Sequence, residues 1–250
     1  MLVSTVEQVL AEVVDRHRAL YEGPAIEAQL KTIIRAGLHT NLTEKDILHI
    51  LRVSRSVFFD AHVEVISGHH TATYLRFDSI ARFPELIRQV ASDMAGWIRH
   101  TFQQDPIWGL VATSSAAEQV AEGIAAELRD TMRLNLALTP YSCETGRIGT
   151  DLTVGAVKSG DRFLALNDVT TRGNCVSKLG KVITDHGGLL AGMLVFARRD
   201  SGQFPLMNEL TAQYPFYCTT DLDMPQWEPA HCPLCRANKP LLSWKDMPAL

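Results

Sequence analysis

Phe163-Leu164-Ala165-Leu166-Asn167-Asp168-Val169-Thr170-Thr171-Arg172-Gly173-Asn174-Cys175 is the stretch whose reading decides the fold. A short apolar run follows the turn pair Gly160-Asp161 and gives way to polar, turn-prone residues, the pattern of a buried parallel strand running into a loop. Val176, Leu179, Val182 and Ile183 then recur at helical spacing, and Gly187-Gly188 supplies a stop. The expected order is strand over 163–166, loop from Asn167, helix from about Cys175. Such a loop lies at the carboxyl end of a strand and at the positive end of a helix dipole, which suits a phosphate, and Gly173 lets backbone approach an anion closely. The same residues also suit a plain strand–turn–helix in which Asp and Thr merely cap the helix.

The run from Asn167 to Cys175 resembles the signature of the type I phosphoribosyltransferases: a hydrophobic strand, two adjacent acids and a loop bearing threonine and glycine. The resemblance implies that Asp168, with Asn167 in place of the first acid, holds the ribose hydroxyls of phosphoribosyl pyrophosphate. It assigns Thr170, Thr171, Arg172, Gly173, Asn174 and Cys175 to the 5′-phosphate. Asn167 keeps hydrogen-bonding capacity and loses a charge. Cys175 stands where serine or threonine is usual, so one hydroxyl contact is missing. Arg172 before Gly173 is similar to the amidotransferase branch.

Working outward, Val63 to Phe77 alternates on both sides of Ser67-Gly68, which predicts a hairpin. It is similar to the early hairpin of orotate phosphoribosyltransferases, beside the base pocket, with Ile66 in place of their lysine. His69 and His70 read equally well as pocket residues or as exposed hairpin residues. Pro84 opens a core helix carrying Ile87, Val90, Ala91, Met94, Trp97 and Ile98. Ile107–Ala112 reads as a second buried strand, and Ser115 with Glu118 as a capping box for the next helix. The resemblance implies that the loop Thr113, Ser114, Ser115, Ala116 grips pyrophosphate with its backbone. Leu134–Leu138 is a third strand. The polar segment 140–158 falls where the relatives carry a mobile, lysine-bearing loop; Arg147 is the cation that would substitute there. Leu189–Ala197 is a further buried strand ending in Arg198-Arg199-Asp200-Ser201-Gly202, and the resemblance gives Arg198 to the base.

The chain has 250 residues, 46% of them apolar, and a net charge of −4, enough for one decorated α/β domain and without the basic footprint of a nucleic-acid binder. No apolar stretch is long enough to span a membrane and no secretory pattern opens the chain, so a cytoplasmic protein is expected. The amino-terminal region reads as helices over about 5–20, from Ile26 to before Gly37, and through Leu51, a cap or dimerisation arm in a homodimer. His17, His39 and His49 within it read as surface or core residues.

Five cysteines do not form a disulfide framework, so thiols or a metal are expected. Cys232 and Cys235 have the Cys-x-x-Cys spacing that places two thiolates on one tetrahedral zinc, half of a site. Cys218 and His231 are the candidates for the other half, although adjacent residues such as His231 and Cys232 seldom both reach one metal. Unliganded, packed thiols are the plain alternative.

These readings predict an α/β fold, a parallel twisted sheet flanked by helices of the type I phosphoribosyltransferase kind. A helical arm over 1–60, a core over 61–205 and a cysteine-bearing extension over 206–250 are expected. The function implied is transfer of the phosphoribosyl group to an orotate-like or other planar base, with Mg²⁺ carried by the substrate and catalysis resting on Asp168, Asn167 and Arg147. A phosphoribosyl pyrophosphate-binding regulator, favoured by Asn167 and the lysine-poor loop, and an interaction protein built on the arm and tail are the other readings.

Overall fold

The apolar run 163–166 is the middle of a nine-residue strand, Arg162–Thr170, buried continuously from Phe163 to Asn167. The computed structural model describes residues 5–35, 40–199 and 204–250. They form two compact units: 35–43 with 83–222, and 1–34 with 44–82 and 223–250.

The first of these units is built from α1 (Pro84–Thr101), β1 (Gly109–Thr113), α2 (Ala116–Leu128), β2 (Asn135–Thr139), β3 (Arg162–Thr170), α3 (Asn174–Asp185), β4 (Leu189–Arg199), α4 (Pro205–Gln213) and β5 (Phe216–Leu222). The five strands form one parallel sheet in the order β5-β4-β3-β1-β2. β3 is central and covered on both faces, which is why its sequence is continuously apolar rather than alternating. Phe163 and Ala165 pack with Val111, Met193 and Val195 beneath Val176, Leu179, Val182 and Ile183 of α3. Leu164 and Leu166 alternate to the opposite face and are fully buried there. Burying each such side chain contributes roughly 1.5–3 kcal/mol.

From β1 the chain crosses to β2 on one side and returns to β3 on the other. The carboxyl ends of β1 and β3 are therefore a topological switch point, where open α/β sheets hold their ligands.

Two expectations about this unit are corrected. The central strand does not stop at Leu166; it runs through Thr170, because Val169 and Thr170 stay in register with Ala197 and Arg198 of β4. Residues 205–222 are not an extension, since α4 and β5 belong to the main sheet. β5 was hidden by its polar run Thr219-Thr220-Asp221, all buried, with Thr219 and Asp221 satisfied by side-chain partners. The segment between β2 and β3 contains a small antiparallel hairpin, Tyr141–Ser142 with Arg147–Ile148, turning at Gly146.

The other unit joins both ends of the chain. Helices Val6–Glu22, Ile26–Ile33 and Glu44–Val53 occupy the expected places. Thr5 caps the first through a reciprocal bond with Gln8. Val63–Glu64 pairs with His70–Thr71 around the left-handed Gly68, the predicted hairpin. Trp227 and Gln226 add to one side of it and Leu242–Ser243 to the other, giving a four-stranded sheet. Val9, Val13, Phe58, Val63, Leu242 and Met247 share one core. The three-part division at 60 and 205 is thus replaced by one in which arm, hairpin and tail are a single unit, because backbone pairing joins segments far apart in sequence. His17 is buried against Phe58 and His49 is exposed; His39, Gly37 and the 200–202 part of the strand-end motif lie outside the described residues.

Candidate functional site

The carboxyl ends of β1 and β3 are linked side chain to side chain. Thr113 Oγ1 donates to Asn167 Oδ1 at 3.3 Å and shares a 2.8 Å hydrogen bond with Ser115 Oγ. Asn167 is 9% exposed, and its Nδ2 donates to the Val169 carbonyl at 3.1 Å. Each end of this amide therefore has a partner inside the protein. Asn167 thus ties the two strand ends together. Asp168, next along the strand and half-buried, accepts from the Val169 N–H at 2.8 Å.

The amide explains why a carboxylate would not be a neutral replacement here. Asn167→Asp turns the Nδ2 donor into an oxygen facing the Val169 carbonyl and buries a charge. Such a change costs about 1–3 kcal/mol. Urea unfolding is expected to show a lower midpoint with an unchanged slope; wild-type stability in this variant would contradict the structural role of the amide.

After Thr170 the chain turns through Thr171, Arg172 and Gly173 into α3. Gly173 is the N-cap with φ +88°, a left-handed conformation that a β-carbon would strain, and among the described residues no side chain caps the helix. The first-turn N–H groups at Asn174 and Cys175 lie at a helix start, where they have no intrahelical acceptor, and the Asp168 charge acts on the Cys175 thiol there. Thr170 and Thr171 are buried while Asn174 is exposed. The Thr171 hydroxyl accepts from Arg199 Nε at 3.0 Å, and the Arg172 guanidinium lies 4.8 Å from the centre of the Phe204 ring. Cys175 directs its thiol to the Val169 carbonyl and to Thr170 Oγ1, each at 3.4 Å. Burial raises its pKa above the usual thiol range, with the Thr170 hydrogen bond opposing and the Asp168 charge adding, so Cys175 is a neutral, inward-facing thiol.

The loop after β1 differs from its expectation. Ser115 caps α2 by accepting from the Ala117 N–H, rather than through a reciprocal box with Glu118. The Ser114 N–H donates to the Thr139 carbonyl and the Ser115 N–H to the Thr113 carbonyl, so these two backbone donors close the turn. Ser114 is exposed and Ala116 buried.

Arg198 and Arg199 are consecutive on β4 and so project to opposite faces. Arg198 pairs with the buried Asp221 carboxylate of β5 at 2.9 Å and lies over the Phe216 ring. It lines a cleft of about 660 Å³ with Trp97, Tyr214 and Tyr217 along the edge strand. The ion pair fixes the guanidinium at the edge of this cleft. Arg199, read only as its neighbour, is the one that reaches the Thr171 loop. Strand alternation was the available signal. Arg147 is exposed on the hairpin between β2 and β3.

The cysteine motif is placed in the other unit. Cys232 and Cys235 gather with His62 and His70, all four donor atoms lying within 4.8 Å of one another. Cys218 and His231 are replaced in this role. Cys218 is buried on β5 in the sheet core, its thiol pushed up to about 12 by burial, with Arg198 opposing. His231 is exposed and faces Glu228. His62 had no sequence signal of its own, being separated by 170 residues from Cys232.

No family model matches the chain. It is 23% identical over 208 residues to an orotate phosphoribosyltransferase of Chlorobium phaeobacteroides, covering 80% of this chain and 94% of that one. With an orotate phosphoribosyltransferase of Thermus thermophilus the identity is 26% over 197 residues, covering 78% and 98%. Among solved structures, Leishmania donovani UMP synthase superposes with a TM-score of 0.55 at 21% identity over 72% of this chain, which spans only 36% of that longer protein. An orotate phosphoribosyltransferase from Aeropyrum pernix superposes with a TM-score of 0.52 at 15% identity, covering 69% and 92%. A parallel five-stranded sheet with its switch point between β1 and β3, and relatives matched along nearly their whole length, give this chain the fold of the type I phosphoribosyltransferases and a sequence similar to orotate phosphoribosyltransferases.

Proposed function

We propose that the protein transfers the phosphoribosyl group of phosphoribosyl pyrophosphate to a planar nitrogenous base and releases pyrophosphate. The observation that carries this reading is the juxtaposition, at one topological switch point, of the Asp168 carboxylate with the uncapped start of α3 at Gly173. The relatives are orotate phosphoribosyltransferases, which supports it. In this reading the N–H groups of Asn174 and Cys175 and the Thr171 hydroxyl hold the 5′-phosphate, with the Arg199 and Arg172 cations behind the loop. Asp168 accepts from the ribose hydroxyls. Bond breaking at the anomeric carbon builds positive charge on the sugar and negative charge on the departing pyrophosphate, so the protein's task is positioning and charge stabilisation.

Magnesium fits this donor set. One half-buried carboxylate at the strand end, and Asn167 turned inward, match an ion that keeps its waters and is held by one protein carboxylate together with substrate oxygens. When bound it would neutralise charge on pyrophosphate.

A second reading, a non-catalytic phosphoribosyl pyrophosphate sensor, is favoured by the loss of the first acid to Asn167. Pyrophosphate release measured with magnesium, phosphoribosyl pyrophosphate and a panel of bases including orotate separates the two. Base-dependent release is expected. Ligand binding without release for any base would give the sensor reading, and absence of binding would overturn both.

A further inference from the structure

We propose that His62, His70, Cys232 and Cys235 form a structural zinc site that fastens the hairpin over residues 63–71 to the carboxyl-terminal segment. His62 Nε2 lies 3.1 Å from His70 Nδ1, 3.5 Å from Cys232 Sγ and 3.6 Å from Cys235 Sγ, and His70 Nδ1 lies 3.2 Å from Cys235 Sγ. A tetrahedron with zinc–nitrogen bonds of about 2.0–2.1 Å and zinc–sulfur bonds of about 2.3 Å has edges of about 3.3 Å between nitrogens and about 3.6 Å between nitrogen and sulfur. Three of the four separations fall within about 0.2 Å of these edges, and His70 Nδ1 to Cys235 Sγ is about 0.4 Å shorter than its edge.

Proton accounting points the same way. His62 Nδ1 faces the Lys239 carbonyl at 2.9 Å, so it carries the hydrogen and leaves Nε2 with a lone pair directed into the cluster. Three polar atoms converge on that single lone pair. One of them can donate to it well; a cation at the centre engages all four at once. A carbonyl holding the far nitrogen of a ligating histidine is also the usual way such a ring is oriented.

The chain is shaped locally to present these atoms. Cys232 and Cys235 flank a tight turn, closed by Arg236 N–H to the Cys232 carbonyl and Asn238 N–H to the Cys235 carbonyl, with Asn238 in the left-handed region. His70 sits in the strand that pairs with both Glu64 and Trp227, and His62 immediately precedes the partner strand. His62, His70 and Cys232 are buried. Four protein donors leave no open position, so the metal would close a long loop of chain and do no chemistry.

Metal analysis of protein purified under reducing conditions without added zinc should give about one zinc per chain. His70→Ala and Cys235→Ser should lower this to a small fraction, while His231→Ala and Cys218→Ser keep it. Because a ligand variant can fail to fold, the wild-type protein carries a second arm. Chelation should lower its melting temperature, zinc should restore it, and cobalt in its place should give the visible bands of a tetrahedral thiolate site. Wild-type protein that lacks zinc, takes up no cobalt and melts unchanged in chelator overturns the proposal. Full zinc content in the folded His62→Ala and His70→Ala variants overturns the donor set. Neither outcome depends on the transferase reading, which the pyrophosphate assay tests separately.

Discussion

Asp93→Ala is expected to lower the unfolding free energy by about 3–5 kcal/mol, the cost of removing one partner from a buried charged network. Asp93 sits on α1 at 2% exposure, where a carboxylate is tolerated only if fully hydrogen-bonded. It accepts from the Asn41 N–H at 2.9 Å, the Tyr217 hydroxyl at 2.7 Å and the Thr219 hydroxyl at 2.8 Å. Removing it leaves three donors without their acceptor; each such loss costs about 1–3 kcal/mol, and water entering the gap keeps the total below their sum. Burial first, and then the Asp93 charge and hydrogen bond, raise the Tyr217 hydroxyl far above its ordinary pKa, so it remains a donor throughout the usual pH range. Trp97 stacks on Tyr217 with ring centres 5.2 Å apart, so its fluorescence reports this corner directly in urea. Asp93→Asn, which keeps an acceptor oxygen, should cost less. A loss under about 1 kcal/mol for the alanine variant would mean the three donors find other partners.

Asp168→Asn should weaken phosphoribosyl pyrophosphate binding tenfold to a hundredfold. With the Asn167 amide bonded to Thr113 and Val169, Asp168 is the carboxylate that the proposed function assigns to the ribose diol or to magnesium. Hydrogen bonds to a charged group contribute about 1.5–3 kcal/mol each, and every 1.4 kcal/mol is tenfold in affinity. The substitution keeps the shape of the side chain, and its half-buried position predicts little effect on folding. Titration calorimetry with magnesium present measures the change. Unchanged affinity would remove Asp168 from the site, whatever the protein's activity.

The parallel sheet, the loop–helix unit after β3 and the likeness to phosphoribosyltransferases were legible in the sequence. Each depends on residues close together in the chain: a continuous apolar run, helical spacing after Cys175, and a glycine where φ must be positive. What tertiary structure decided is of another kind. β5 could not be read because Thr219 and Asp221 are buried polar residues whose partners, Asp93 and Arg198, come from other elements. That Asn167 also bonds to Thr113, 54 positions away, could not be read from the sequence. Arg198 and Arg199 were indistinguishable until strand direction sent one to Asp221 and the other to Thr171. Cys232 and Cys235 announced half a cluster, and its other half came from His62 and His70 through pairing of the hairpin over 63–71 with residues 226–227 and 242–243. Local spacing specifies backbone conformation, because helix and strand periods and turn preferences act over a few residues. The partner of a polar side chain is set by which segments the fold brings together, and that distance is not written in the spacing of residues along the chain.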